Sequence, residues 1–262
     1  MDNALTPQSI RTYFNFPFRS PDWLNRFLIG VALFFAGSII PVIPLFFIAG
    51  YAAEIMRRTA SGQAPDLPEW NDWGRLLLNG LRMIALQWIF LLPGIIVMFG
   101  GFMLYFFGIF ASIFAAEQSE AAASLTMLLV FLVFMLSIPV STLLFALGAV
   151  PLPAATVHMV VEERFSAGFQ FSAWSKVLRA NGWGYFVAWV GTAGLMTILY
   201  VAFMLIYSTL ILCFLLPVVI APIGFYLAIV SAALFGEAYH AGQQTGLPAT
   251  TEPAPAAPEG SE

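Results

Sequence analysis

Asp66, Glu69 and Asp72 follow one another at spacings of three, which on a helix sets three carboxylates along one side where a cation or a substrate could be held. No His or Cys accompanies them, and no Gly-rich calcium loop surrounds them. A capping role accounts for two of the three: Asp66 at the N-cap, Pro68 in the first turn and Glu69 reaching back from N3. His158 and Glu162, an i, i+4 pair, offer a second place for proton or metal chemistry, and His240 stands apart from both. Cys213 is the single cysteine and lies in an apolar run, so it reads as a small hydrophobe. Gln87 is the deepest strongly hydrogen-bonding side chain in the apolar tracts, where packing between helices is its expected use. No phosphate loop, HExxH or GxSxG occurs, and the Ser and Thr residues of the crossings have no base nearby in the sequence. The expectation is no catalytic residue, no metal, no cofactor and no enzymatic activity.

The elements that carry these residues belong to a membrane. Of 262 residues, 60% are hydrophobic and 9% charged, against about 25% charged in soluble domains. So few charges cannot cover a water-facing surface, and a net charge of −4 gives no signal for nucleic acid. Four tracts lack any charge: Phe27 to Ala53, Met83 to Ala116, Ala121 to Val161 and Ala180 to Gly236. A crossing takes about 20 apolar residues, so the last tract, 57 residues long, holds two, with a break near Cys213 to Pro217. The first tract is one kinked helix or two short ones meeting at Pro41 to Pro44. Charge favours two. All ten basic residues cluster at Arg11–Arg26, Arg57–Arg82 and Arg164–Arg179, and six crossings put every cluster on one side. Five crossings would leave three arginines outside.

The expected architecture is an all-α, polytopic transmembrane bundle with both termini cytoplasmic, in the prokaryotic inner membrane. Residues 1–23 form an interfacial segment without a secretory signal, and the transmembrane domain covers 24–240. Its crossings fall at about 24–40, 42–56, 81–107, 125–150, 184–209 and 215–237, with cytoplasmic loops at 57–80 and 162–183. Residues 241–262, rich in Pro, Ala and Glu, read as a disordered tail.

Both loops repeat one design. After Asp66, one helical face carries Trp70, Trp73, Leu77 and Leu81 and another carries Asp72, Arg75, Asn79 and Arg82. In the second loop Phe165, Phe169, Ala173 and Val177 oppose Ser172, Lys176 and Arg179, and Trp183 follows. Each is expected to be an amphipathic helix resting on anionic headgroups, with Arg57, Arg58, Arg75, Lys176 and Arg179 fixing orientation and Trp70, Trp73 and Trp183 at headgroup depth. The bilayer is the certain partner class; a homo-oligomer or another membrane protein is the further one.

Gly50-Tyr51 closing a tract, then Arg57-Arg58, a Gly, Leu67-Pro-Glu-Trp-Asn-Asp-Trp73 and Gly80-Leu81 opening the next, resemble the domain of unknown function 4013 family. The ending Gly236-Glu-Ala-Tyr239 resembles that family's closing pattern. The resemblance would cover residues from about 10 to 240 and implies an uncharacterised multi-pass membrane protein of bacteria or archaea. It implies no reaction. The leading expectation is a non-catalytic structural or interaction component of the membrane; the alternative is a small-solute transporter or channel-forming subunit.

Overall fold

The computed structural model describes residues 7–19, 22–40, 42–208 and 215–246, with side chains over residues 11–245 of these. It is helical, with no strand among the described residues. In chain order the helices are α1 (Pro7–Asn15), α2 (Trp23–Ala36), α3 (Ile43–Ala60), α4 (Trp73–Ala116), α5 (Glu120–Ala149), α6 (Leu152–Val161), α7 (Phe171–Ala180), α8 (Gly182–Tyr207) and α9 (Leu216–Gly246). Short 3-10 turns cover Phe16–Phe18 and Phe165–Phe169. Four stretches are long and apolar enough to cross a membrane: α4, α5 continued by α6, α8 and α9.

The first apolar tract is two helices. α2 stops at Ala36 and α3 starts at Ile43, with Pro44 in its first turn, where a proline's missing N–H goes unneeded. Cys213 and the rest of 209–214 lie outside the described residues.

α3 and α9 form the centre. Tyr51, Ile55, Phe225, Ile229, Val230, Leu234 and Tyr239 are almost wholly buried there, and α2, α4, α6, α7 and α8 pack around them. Glycines permit the closest approaches. A Cβ on Gly50 would overlap the Leu76 carbonyl of α4, and one on Gly80 would overlap the Phe46 carbonyl of α3, so the two backbones touch where these helices cross.

α4 is 44 residues long, which at 1.5 Å per residue is about 66 Å, twice the hydrocarbon thickness of a bilayer. It continues nine residues past 107, where the sequence placed the end of that crossing. Its far half pairs with α5. Gly94, Gly101 and Gly108, spaced by seven, receive Phe145, Ser137 and Val130 of α5 in turn. The outer faces of this hairpin expose Phe99, Phe102, Phe107, Phe110 and Phe114, the composition that lipid tails solvate.

At the other end of the chain, α9 runs to Gly246, so the residues from 241 do not begin a disordered tail. Packing explains the difference: Ala241 is buried, and a Cβ on Gly242 would strike the Val177 carbonyl of α7. Residues 247–262, where the rest of that tail was expected, lie outside the described residues.

Candidate functional site

Residues 61–72 are not helical, so the interfacial helix expected from Asp66 onwards does not form there. Gly62, with φ +77°, turns the chain, and Pro65 and Pro68 hold residues 64–68 out of the helical region. The segment is then pinned to the middle of α3 and to α2 by long-range bonds. Tyr51, fully buried, donates its hydroxyl to the Pro68 carbonyl at 2.8 Å. Its ring stacks on Trp70 with centroids 4.0 Å apart and planes 9° from parallel. The Trp70 indole N–H donates to the Arg26 carbonyl at 2.9 Å, and the Arg26 guanidinium returns to the Leu67 carbonyl and to Glu69.

These contacts correct three sequence assignments. Trp70 is a core residue, 8% exposed, where headgroup depth was expected; Trp73, 43% exposed, lies edge-on to Phe47. Asp66 does not cap a helix, since its carboxylate accepts from its neighbour Leu67 N–H. Glu69 is an ion-pair partner of Arg26 and does not reach back to a cap. The cap is Asp72, whose carboxylate accepts from the Arg75 N–H at 3.0 Å and starts α4 at Trp73. Tertiary partners 17 to 44 residues away outcompete a local capping pattern. The triad Asp66, Glu69 and Asp72 is thus divided among three separate tasks, and no group of three or more metal-ligating side chains occurs among the described residues.

The same end of the molecule carries an ionic network. Glu54, 14% exposed at its side chain, receives Arg57 at 2.6 Å, Arg58 at 3.3 Å and Arg75 at 3.9 Å. Glu163 receives Arg57 at 2.5 Å and Arg75 at 3.0 Å, and its carbonyl accepts from Arg82 at 3.3 Å. Glu163 sits at φ 52° in the turn after α6, a left-handed conformation that aims carboxylate and carbonyl at the same arginines. Two carboxylates and four arginines therefore lock α3, α4 and the α6 turn together. A polar groove of about 420 Å³ lies beside them, lined by Arg26, Arg58, Arg75, Asp66, Glu69 and Asp72 among others. On the neighbouring α7, Trp174 is buried and donates to the Gly168 carbonyl, while Lys176 and Arg179 are exposed without an ion pair among the described residues. Trp183, at the start of α8, is 64% exposed.

The histidines take structural partners. His158 Nδ1 lies 2.6 Å from the Tyr239 hydroxyl and Nε2 lies 3.3 Å from Gln170 Oε1, which fits Nε2–H donating to the amide and Nδ1 accepting from the phenol. Glu162 turns away to Arg164. His240 meets the Ala60 carbonyl and Gln244. In α1, Tyr13 is pushed above its usual range by burial and by a hydrogen bond to Glu237, which ties α1 to α9. Sequence reasoning missed Tyr51 and Tyr239 as anchors. The signal was present in the quoted motifs: Gly50 and Gly236 are where α3 meets α4 and α9, and the tyrosine of each motif reaches a further segment, Tyr51 the Pro68 carbonyl and Tyr239 the His158 ring of α6.

A half-open chamber of about 390 Å³ lies deeper, lined by α2, α3, α4, α6, α8 and α9. Its walls are apolar apart from Gln87, Thr192 and Ser231, and no charged side chain reaches it.

The family model described as "Protein of unknown function (DUF4013)" matches residues 33–208, about two thirds of the chain. The chain belongs to this family. The match spans α3 to α8 with the end of α2, and stops before α9, so the Gly236–Tyr239 ending falls outside it. No curated protein and no solved structure matches.

Proposed function

We propose that this DUF4013 member is a non-catalytic structural or interaction component of the prokaryotic cytoplasmic membrane. It crosses the bilayer six times, as α2, α3, α4, α5–α6, α8 and α9, and both termini stay in the cytoplasm. Its charged end is a rigid platform that meets anionic headgroups and docks a membrane partner or a second copy. The observation that carries this reading is the ionic network: Glu54 and Glu163 hold four arginines in place across three segments. Such a network fixes the shape of a surface. The histidines support the same reading, because each is engaged by a neighbouring helix or turn and serves packing. Orientation follows from the basic residues, all ten of which end on one side in this topology.

Lys176 and Arg179 are exposed cations of the platform with no ion pair among the described residues, each worth about 1 kcal/mol toward an anionic surface. Lys176→Glu with Arg179→Glu therefore lowers the phosphatidylglycerol retained by the purified protein in native mass spectrometry by at least twofold. Unchanged retention contradicts the platform.

The alternative, a small-solute transporter or channel-forming subunit, draws on the chamber between the helices. Its walls lack the carboxylates or histidines of a coupled carrier's relay, which favours the structural reading. Solute uptake into proteoliposomes above the rate of protein-free vesicles would reverse that preference.

A further inference from the structure

Two groups of hydroxyls stand out among the described residues. Ser112, Thr126, Ser137, Ser141, Thr142, Thr156 and Thr197 each return a hydrogen bond to a carbonyl of their own helix. That is the ordinary resting place of a hydroxyl on an apolar helix. Thr192 of α8 and Ser231 of α9 are different: like the Tyr185 hydroxyl and the Trp189 N–H of α8, which do not line the chamber, their oxygens are buried and have no hydrogen-bond partner among the described residues. Both line the chamber, and so does Gln87 of α4, whose amide makes no hydrogen bond among the described residues. Three separate helices thus bring unpartnered polar groups to one apolar space. At 1.5 Å per residue, Thr192 is about 16 Å from Asn181 and Ser231 about 10 Å from Ala238, two residues joined by a hydrogen bond at the charged end. These groups therefore lie within hydrocarbon depth, where an unsatisfied polar group is costly.

The rest of the wall is Phe34, Met56, Met83, Met196, Leu227 and similar side chains. Methionine adapts to irregular hydrocarbon, and pockets of this kind, apolar with a few convergent polar groups, are built for ligands. With no ionisable side chain lining the chamber, a charged head would find no counter-ion there.

We propose that the chamber binds an uncharged amphiphile, a hydrocarbon body with a hydroxyl or carbonyl head. Gln87, Thr192 and Ser231 hydrogen-bond the head, and α3, α8 and α9 flank the body. The site shares no lining residue with the polar groove or the ionic network, so its failure and that of the platform are separately visible.

The test is photolabelling of the full chain in nanodiscs with four diazirine-tagged probes: hexadecanol, a long-chain methyl ketone, palmitate and phosphatidylcholine. The site predicts saturable labelling of peptides carrying Met56, Met196 and Leu227, competed by untagged alcohol or ketone. Hexadecanol labelling alone identifies a hydroxyl-headed ligand, ketone labelling alone a carbonyl-headed one, and both together a head that only accepts. Palmitate and phosphatidylcholine label at least tenfold more weakly. Gln87→Leu with Thr192→Val and Ser231→Ala lowers probe labelling at least tenfold. Ala228→Phe, which fills the chamber and leaves the three polar groups in place, gives the same loss and decides the matter should the triple variant not fold. Labelling that never saturates, spreads equally over the phenylalanines of the α4–α5 hairpin, is matched by palmitate or phosphatidylcholine, or survives Ala228→Phe overturns the proposal.

Discussion

Trp70 joins what the sequence displays to what it hides. Tryptophan beside charge in a membrane protein reads as a headgroup anchor, and Trp183 has the exposure such a role needs. Trp70 is instead stacked on Tyr51 and bonded to the Arg26 carbonyl, partners no local window contains. Trp70→Ala removes the stack and opens a cavity, so it lowers the denaturation free energy in detergent by about 3–4 kcal/mol. Trp73→Ala, at a half-exposed ring, costs less than about 1 kcal/mol. Equal losses at the two positions would contradict the core placement of Trp70. Glu54 works at the same scale. Glu54→Gln leaves Arg57 and Arg58 with weakened compensation at a mostly buried position, between the surface and buried limits for ion pairs, at about 2 kcal/mol. Chemical unfolding checks it, and a loss below about 0.5 kcal/mol would show the network to be ornamental.

Among the elements, the apolar tracts were legible because charge is excluded from hydrocarbon, and their ends were marked by Arg, Glu and Pro. The break between α2 and α3 was readable from Pro41 to Pro44 for the same reason. The start of α4 was not. Asp66-Leu-Pro-Glu69 satisfies a capping rule locally, but Asp72 satisfies it as well, and only the long-range contacts of Leu67, Pro68 and Trp70 choose between them. The far end of α4 was missed by a different route. Sequence sets an upper bound from Glu117, while the actual length comes from the seven-residue glycine repeat pairing with α5. Gly101→Leu drives a branched side chain into Ser137, splays the hairpin and destabilises it by about 1–3 kcal/mol, whereas Gly100→Leu, facing open space, is close to neutral. Thermal aggregation of the two variants in detergent compares them; similar shifts would refute the repeat as a packing face.

The whole molecule has a charged, tightly bonded end and a long apolar body. Gly50-Tyr51, Leu67 to Trp70 and Gly80, the stretches on which the sequence resembles the family, meet at a single joint where α3, α4 and the loop between them lock. The six-crossing topology is the claim on which the platform rests, and it separates cleanly from five crossings at two positions. In a Cys213→Ser background, single cysteines replace Asn3 and Ser38, the latter exposed in the turn between α2 and α3. Intact cells are treated with a membrane-impermeant maleimide. Six crossings with cytoplasmic termini predict that Ser38→Cys is labelled and Asn3→Cys is not. Labelling of Asn3→Cys with a silent Ser38→Cys would contradict it.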